Sequence, residues 1–358
     1  MVEPTPRDAS LARRPTPRAR LPARLLVVLL ATLSLAACGS GGGEDGRDRA
    51  PPGATGGPGV DLDGLARPDV LLITISGHAN SAVPLSSASN RTYLDGAGSA
   101  GPKLAAHLAG LGLTVVQRHI ADRLAAPDAD GDGRPDQADR LGFVECLSIL
   151  DQAGRLWIDG QPTPTSIVIV SHSHGGTWAH MACEAAAGRL TPGPLPVRVL
   201  VSLDAVLTGW DGEHDDELMA WWDALPNQTF RGLRLARDPS TSTNAVLTDQ
   251  GPMHVKDVVW PSVRFAYEVM SADPLGALLS DVARNVALSD ADLATPAAAT
   301  GTTIWTRDTR AGQIVLNGVV VAPPMGDGVA GEDHGGVHDA NGASLQWVCD
   351  RLTEVFAP

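Results

Sequence analysis

The feature that most constrains this chain is the stretch SIVIVSHSHGGTWAHMAC, residues 166–183. Residues 167–170 are an unbroken run of isoleucine and valine, which is typical of a strand buried on both faces. Residues 178–187 then have the composition of a helix, with Gly188 as its expected end. Because only SHSHGGT separates the two segments, the sequence predicts a sharp strand-to-helix turn that carries Ser173.

Similar segments alternate along the rest of the chain. Predicted strands occupy residues 69–75, 113–120, 197–206 and 230–236, and predicted helices occupy residues 101–113, 142–154 and 341–356. This alternation predicts an α/β fold built on a mostly parallel, doubly wound sheet. The chain has 358 residues, 43% of them hydrophobic, which is enough for one large domain of this class or two small ones.

Residues 67–358 resemble an α/β-hydrolase of the esterase and lipase kind. The turn SHSHGG is similar to that family's common GHSHGG and follows the expected strand. The resemblance implies a G-x-S-x-G nucleophile elbow, with Ser173 as the nucleophile. One departure is that Ser171 replaces the first glycine, at a position that needs a small side chain.

A nucleophilic serine needs a base and an orienting acid, which follow it along the chain in this family in the order Ser, Asp, His. Asp204, in an LDA context similar to the LDP of some lipases, is the expected acid, and Asp238 is the alternative. The base is expected in the loop GEDHGGVHDANG before the last helix. His334 fits the family pattern there, and His338 remains the alternative.

The same resemblance implies an oxyanion hole made of two backbone amides. One is expected from His174, the residue after the nucleophile. The other is expected from His78 in the loop SGHANS, where Gly77 aligns with the glycine of the family's HG-x loop. No carboxylate lies at ligand spacing from these histidines, so the sequence predicts no metal site here.

A second motif, DADGDGRPDQAD at residues 128–139, resembles a twelve-residue calcium loop. Acidic residues fall at ligand positions, and Gly133 lies at the sharp turn. The expected ligands are Asp128, Asp130, Asp132, the carbonyl of Arg134, Asp136 and Asp139. Asp139 replaces the usual glutamate, as in thrombospondin type-3 or dockerin repeats, so modest affinity and a structural role are expected. The alternative is a solvated acidic surface loop.

The N-terminal segment indicates export. Residues 1–37 combine arginines with the apolar run LLVVLLATLSLAA, which is too short for a membrane span. LAAC resembles the lipobox of bacterial lipoproteins, which implies that Cys38 is lipidated; a plain signal peptide is the alternative. Residues 38–66 are rich in glycine and proline and predict a flexible tether. We therefore expect a membrane-anchored lipoprotein that faces the periplasm or the cell exterior.

Charge and cysteine content narrow the expected partners. Loss of residues 1–37 removes six arginines and two acidic residues and changes the formal net charge from −14 to −18. So acidic a chain is not expected to bind nucleic acid or an anionic lipid surface as its main partner.

Three cysteines remain beyond Cys38; their spacing matches no zinc motif, and their pairing stays open.

Residues from about 250 to 300 lie where this fold often carries a lid. Apolar side chains at helical spacing in this segment could line an acyl-binding pocket: Trp260, Phe265, Tyr267, Met270 and Leu275. The alternative is an additional core helix.

Together these features predict a serine hydrolase that cleaves small-molecule or lipid esters through an acyl-enzyme on Ser173. Structural Ca²⁺ is expected, and no organic cofactor. The alternative is a non-catalytic, calcium-stabilised surface lipoprotein that uses a degenerate hydrolase fold for binding.

Overall fold

The computed structural model describes residues 60–77, 92–126, 141–188, 194–206, 210–224, 245–248, 251–272, 286–287, 302–321 and 331–357. Several predicted features lie outside these residues: the signal peptide, Cys38, most of the tether, His78, Asp238 and the calcium-type loop 128–139. What the sequence predicts for those features therefore stays a prediction.

The described strands are β1 (Val70–Ile75), β2 (Val115–Ile120), β3 (Ser166–His172), β4 (Val197–Leu203), β5 (Ala245–Thr248), β6 (Gly251–His254), β7 (Val258–Val259), β8 (Val263–Met270), β9 (Val286–Ala287), β10 (Thr303–Asp308), β11 (Gln313–Leu316) and β12 (Val319–Val321). Eight of them form one sheet in the order β12-β11-β10-β8-β4-β3-β1-β2. The strands from β10 to β2 in this order run parallel, and β11 and β12 add an antiparallel edge. Two small pairs, β5 with β6 and β7 with β9, lie outside this sheet.

The described α-helices are α1 (Ala100–Gly110), α2 (Phe143–Ala153), α3 (Gly175–Ala187), α4 (Trp210–Ala224) and α5 (Ala343–Phe356). Among the residues that the structure describes, no helix is both long and apolar enough to cross a membrane.

The central strands are buried on both faces because helices cover the sheet from two sides. In β1, Leu71 and Ile73 belong to a core cluster shared with α2 and α3, whereas Val70 and Leu72 belong to a cluster shared with α1 and α5. Side chains of a strand alternate between faces, so each face of β1 supplies one core. This double burial is why the central strands β1 and β3 are built mainly from apolar residues.

The mostly parallel, doubly wound sheet expected from the sequence is confirmed. The strands expected at 69–75, 113–120 and 197–206 correspond to β1, β2 and β4, and the helices expected at 101–113 and 142–154 correspond to α1 and α2. The last helix, α5, also lies where it was expected. The strand expected at 230–236 lies outside the described residues.

The two alternatives for the segment from about residue 250, a lid and an additional core helix, are both wrong for residues 263–270. These residues form β8, which pairs with β4 on one side and β10 on the other and so lies inside the sheet. Tyr267 and Met270, predicted to line an acyl pocket, are buried strand residues. A short apolar run buried on both faces has no period-two pattern, so its spacing imitates that of a helix.

The three cysteines beyond Cys38 are free, buried thiols: Cys146, Cys183 and Cys349. Burial raises the pKa of Cys146 to about 12 and that of Cys349 to about 11. Since the thiolate is the reactive form, these side chains act as small apolar core residues.

The position of β8 predicts how the fold responds to truncation of one of its side chains. Val269 is fully buried, so Val269→Ala is expected to lower the free energy of unfolding by about 2 kcal/mol, measured by urea denaturation. Arg264→Ala changes an exposed position of the same strand and is expected to stay within about 0.5 kcal/mol of the wild type. Equal midpoints for the two variants would contradict the central position of β8.

Candidate active site

Ser173 lies on the turn between β3 and α3 in a strained backbone conformation. Its φ is +56°, a region that non-glycine residues rarely adopt. Three backbone hydrogen bonds hold the turn: the Ser173 amide donates to Leu203 at 3.2 Å, and its carbonyl accepts from Gly176 at 3.0 Å and Val206 at 3.1 Å. The local structure is therefore the strand-turn-helix that a nucleophile elbow requires.

Small residues let this turn pack against the neighbouring strand. A Cβ on Gly175 would lie 2.3 Å from the carbonyl oxygen of Ile75, so a side chain there would force α3 away from β1. Ser171, which replaces the first glycine of the motif, is fully buried, and its hydroxyl donates to the carbonyl of Val201 at 3.2 Å. A serine therefore fits at the position of the first motif glycine, because its buried hydroxyl has a hydrogen-bond acceptor.

Asp204 follows β4, the strand next to β3, and is 3% exposed. Its Oδ1 accepts from the Ser271 amide at 2.9 Å, and its Oδ2 accepts from Nδ1 of His334 at 2.7 Å. Burial alone would raise the pKa of Asp204, but hydrogen bonds from His334 and Ser271 outweigh it and lower the pKa below its ordinary value. The carboxylate therefore stays charged beside the imidazole.

The two candidate histidines have different contacts. His334, 8% exposed, makes the contact with Asp204. The ring of His338 instead lies 5.3 Å from that of Tyr93 and 4.6 Å from that of His172, centroid to centroid. Asp238, the alternative acid, lies outside the described residues. The structure thus brings Asp204 and His334 together, the pair that the sequence favoured.

A chain of hydrogen bonds connects the loop after β1 to the backbone of His334. The His334 carbonyl can only accept, so Nε2 of His172 carries a proton and donates it to that carbonyl at 2.7 Å. Nδ1 of the neutral ring then accepts from the Tyr93 hydroxyl, which itself accepts from the Gly77 amide at 3.0 Å. Burial and the neighbouring His334 and His338 lower the pKa of His172 well below its ordinary value, so its ring is neutral.

The loop after β1 lies against the amide expected to bind an oxyanion. A Cβ on Gly77 would lie 2.6 Å from Cβ of Ser173 and 2.9 Å from the backbone nitrogen of His174. Only a glycine allows this approach between the two segments. His78, expected to supply the second amide, lies outside the described residues.

Sequence reasoning missed two contributors to this site. Ser271, which donates to both carboxylate oxygens of Asp204, directly follows β8, and a polar residue at the end of a parallel strand was the available signal. The lid prediction for residues 263–270 did not place a strand end before Ser271, so it did not reveal this signal. Tyr93 lies in a 3₁₀ turn far from any motif, and no sequence pattern pointed to it.

A second polar cluster adjoins the elbow. Asp122, His174 and Glu213 each offer a ligand atom within 4.8 Å of the others, which is a geometry that could hold a metal ion. Asp122 lies beyond the end of β2, and Glu213 lies on α4. Local spacing predicted no metal site at His174, and it missed Asp122 and Glu213 because these carboxylates come from segments remote from His174 in the chain.

The topology and the elbow together decide the fold. It is an α/β-hydrolase fold. No protein-family model and no curated protein matches the chain.

Three solved structures are similar to the chain at low identity. Acyl-protein thioesterase 2 of Zea mays is 11% identical with a TM-score of 0.28, over 81% of this chain and 95% of that one. Est1E of Butyrivibrio proteoclasticus, solved with ferulic acid, is 12% identical with a TM-score of 0.23, over 56% and 68%. An esterase of the archaeon Pyrobaculum calidifontis is 16% identical with a TM-score of 0.26, over 76% and 82%. At these values the matches carry no argument about activity.

The close packing at the elbow predicts that alanine substitutions at two glycines differ in their effect on the free energy of unfolding. Gly175→Ala places a methyl group against backbone and is expected to cost about 1–3 kcal/mol of unfolding free energy. Gly110→Ala, at an exposed helical position with open space around it, is expected to be neutral or stabilising. Urea denaturation measures both, and a Gly175→Ala variant as stable as the wild type would refute the packing argument.

Proposed function

We propose that this chain is a serine hydrolase that cleaves carboxylic esters through an acyl-enzyme formed on Ser173. The observation that carries the proposal is the 2.7 Å contact between Nδ1 of His334 and Asp204, at the sheet edge where the strained elbow presents Ser173. Nucleophile, acid and base come from separate segments of the chain, in the order that this fold requires. The coarser conclusion, a hydrolase-like fold, does not depend on this proposal.

The proposed reaction follows from what each group can donate or accept. Because Asp204 holds Nδ1–H of His334, the other ring nitrogen is left to take the proton of the Ser173 hydroxyl as its oxygen attacks the ester carbonyl. The His174 amide stabilises the oxyanion of the tetrahedral intermediate, with the His78 amide as the proposed second donor. His334 then gives its proton to the leaving alkoxide, and a water molecule, activated in the same way, releases the acid.

The fixed charge on Asp204 supports this assignment. The base must gain a positive charge during the reaction, and a buried carboxylate whose pKa is lowered stays ionised to stabilise it. Two donors from Ser271 and one from His334 fix the carboxylate, so its orientation costs no rearrangement when the charge develops.

Two further proposals rest on the sequence. We propose that Cys38 anchors the exported chain to a membrane, and that residues 128–139 bind Ca²⁺ in a structural role. Both segments lie outside the described residues.

Labelling by a fluorophosphonate probe tests the nucleophile and distinguishes the two histidines. The wild-type chain is expected to be labelled, Ser173→Ala to be inert, and His334→Ala to lose about 10³-fold or more in labelling rate and in ester kcat/KM. His338→Ala is the matched control and is expected to keep most of both, because the imidazole in contact with Asp204 is that of His334, whereas the ring of His338 packs on Tyr93 and His172.

Each alternative has its own outcome in that experiment. A wild-type chain that is not labelled, with or without Ca²⁺, would overturn the hydrolase proposal in favour of a binding protein. Loss of labelling in His338→Ala instead of His334→Ala would overturn the assignment of the base. Circular dichroism of each variant checks that the fold is retained.

The hydrogen-bond chain through Tyr93 predicts a positioning effect. Tyr93→Phe removes the hydroxyl between Gly77 and His172, which loosens both the oxyanion loop and the segment of His334. We expect kcat to fall about 3- to 10-fold with KM nearly unchanged, since two neutral hydrogen bonds are lost at a distance from the reacting atoms.

Tyr267→Phe is the matched control, because Tyr93 and Tyr267 are the two tyrosines of the chain and Tyr267 lies within the sheet core. It is expected to leave kcat unchanged. A fall in thermal stability without a fall in kcat would show that Tyr93 is structural and does not position the base.

A further inference from the structure

Behind the elbow, three remote segments bring ligand-type side chains into one buried cluster. Asp122 comes from beyond β2, His174 from the elbow, and Glu213 with its neighbour His214 from α4. The side chains of the four are 0%, 8%, 3% and 0% exposed, respectively. Aspartate and glutamate are seldom buried to this degree unless they are paired or coordinate a metal.

The spacing of the cluster is that of metal ligands. A tetrahedral ion with bonds of about 2.0–2.2 Å holds neighbouring ligand atoms about 3.3–3.6 Å apart. Oδ2 of Asp122 and Nδ1 of His174 are already 3.4 Å apart. A carboxylate oxygen of Glu213 lies within 4.8 Å of both, so a rotation of its side chain would complete the set.

The two carboxylate oxygens of Asp122 contact different partners. Oδ1 accepts from the Trp178 indole at 2.8 Å and lies 3.3 Å from Nε2 of His214, while Oδ2 faces His174. Nδ1 of His214 is in turn bound to Glu217 at 2.7 Å. A carboxylate fixed through one oxygen, with the other turned toward an imidazole, is the arrangement by which outer residues orient a metal ligand.

We propose that Asp122, His174 and Glu213 bind one divalent transition-metal ion, with Zn²⁺ as the best match. One imidazole and two carboxylates form the nitrogen and oxygen donor set that zinc accepts, whereas Ca²⁺ and Mg²⁺ prefer oxygen alone. The ion takes the place of the proton between Asp122 and His174.

The site would stabilise the elbow from behind. His174 directly follows Ser173, so an ion on its side chain ties the turn to β2 and α4 and fixes the backbone amide assigned to the oxyanion. The role is structural, and no step of the proposed hydrolysis passes through the metal. This inference goes beyond the proposed function, and its test does not depend on hydrolytic activity.

Metal content of the full chain, purified without an affinity tag, tests the proposal. The chain is treated with a chelator, returned to excess Ca²⁺ so that the predicted calcium loop is filled, and titrated with Zn²⁺ by calorimetry, with elemental analysis of the product. One zinc per chain and a higher melting temperature are expected for the wild type.

Variants locate the ion. Asp122→Asn, His174→Gln and Glu213→Gln are each expected to weaken zinc binding by about 100-fold or more. Asp151→Asn and His107→Gln change the same residue types outside the cluster and are expected to bind one zinc as the wild type does. Zinc bound equally well by all five variants, or no zinc in the wild type, would overturn the proposal.

A measurement on the wild-type chain tests the site even if the variants fail to fold. X-ray absorption at the zinc edge of the loaded chain is expected to fit imidazole and carboxylate ligands at about 2.0–2.2 Å. Sulfur ligands, or the absence of imidazole, would overturn the assignment to this cluster.

Discussion

The backbone of Ser173, at a φ of +56°, is the constraint on which the rest of the site depends. Strain of this kind costs about 1–3 kcal/mol and persists only where surrounding structure determines it. Here the turn is hydrogen-bonded to Leu203 on the adjacent strand, and Gly77 and Gly175 allow the loop after β1 and the start of α3 to close around it. Contacts with the neighbouring strands of the parallel sheet therefore hold Ser173 in its strained backbone conformation.

The functional groups of the site share one edge of the sheet because parallel strands all end there. Gly77 follows β1, Ser173 follows β3, Asp204 follows β4 and Ser271 follows β8. Burial at this edge strengthens each electrostatic contact, and the pKa of Asp204 is lowered because hydrogen bonds outweigh the cost of its burial. Asp122, beyond the end of β2, extends the same polar edge to the cluster behind the elbow.

Much of the fold and part of the candidate site could be predicted from the sequence. The runs that became β1, β3 and β4 are mostly apolar, and the elbow lies between recognisable elements. The lid prediction failed at residues 263–270 because local periodicity cannot distinguish a strand buried on both faces from a helix. Asp204 and His334, which chain order favours as acid and base, are in contact, and their catalytic roles stay a proposal.

Short-range patterns of apolar and small residues encode the local elements and the turn that carries Ser173, and the chain itself sets the order of the candidate groups. Three features depend on the packed fold: the histidine that contacts Asp204, the support of that pair by Tyr93 and Ser271, and the meeting of Asp122 and Glu213 at His174. These contacts join residues far apart in the chain, so their geometry exists only once the strands are in register and the helices are packed on the sheet.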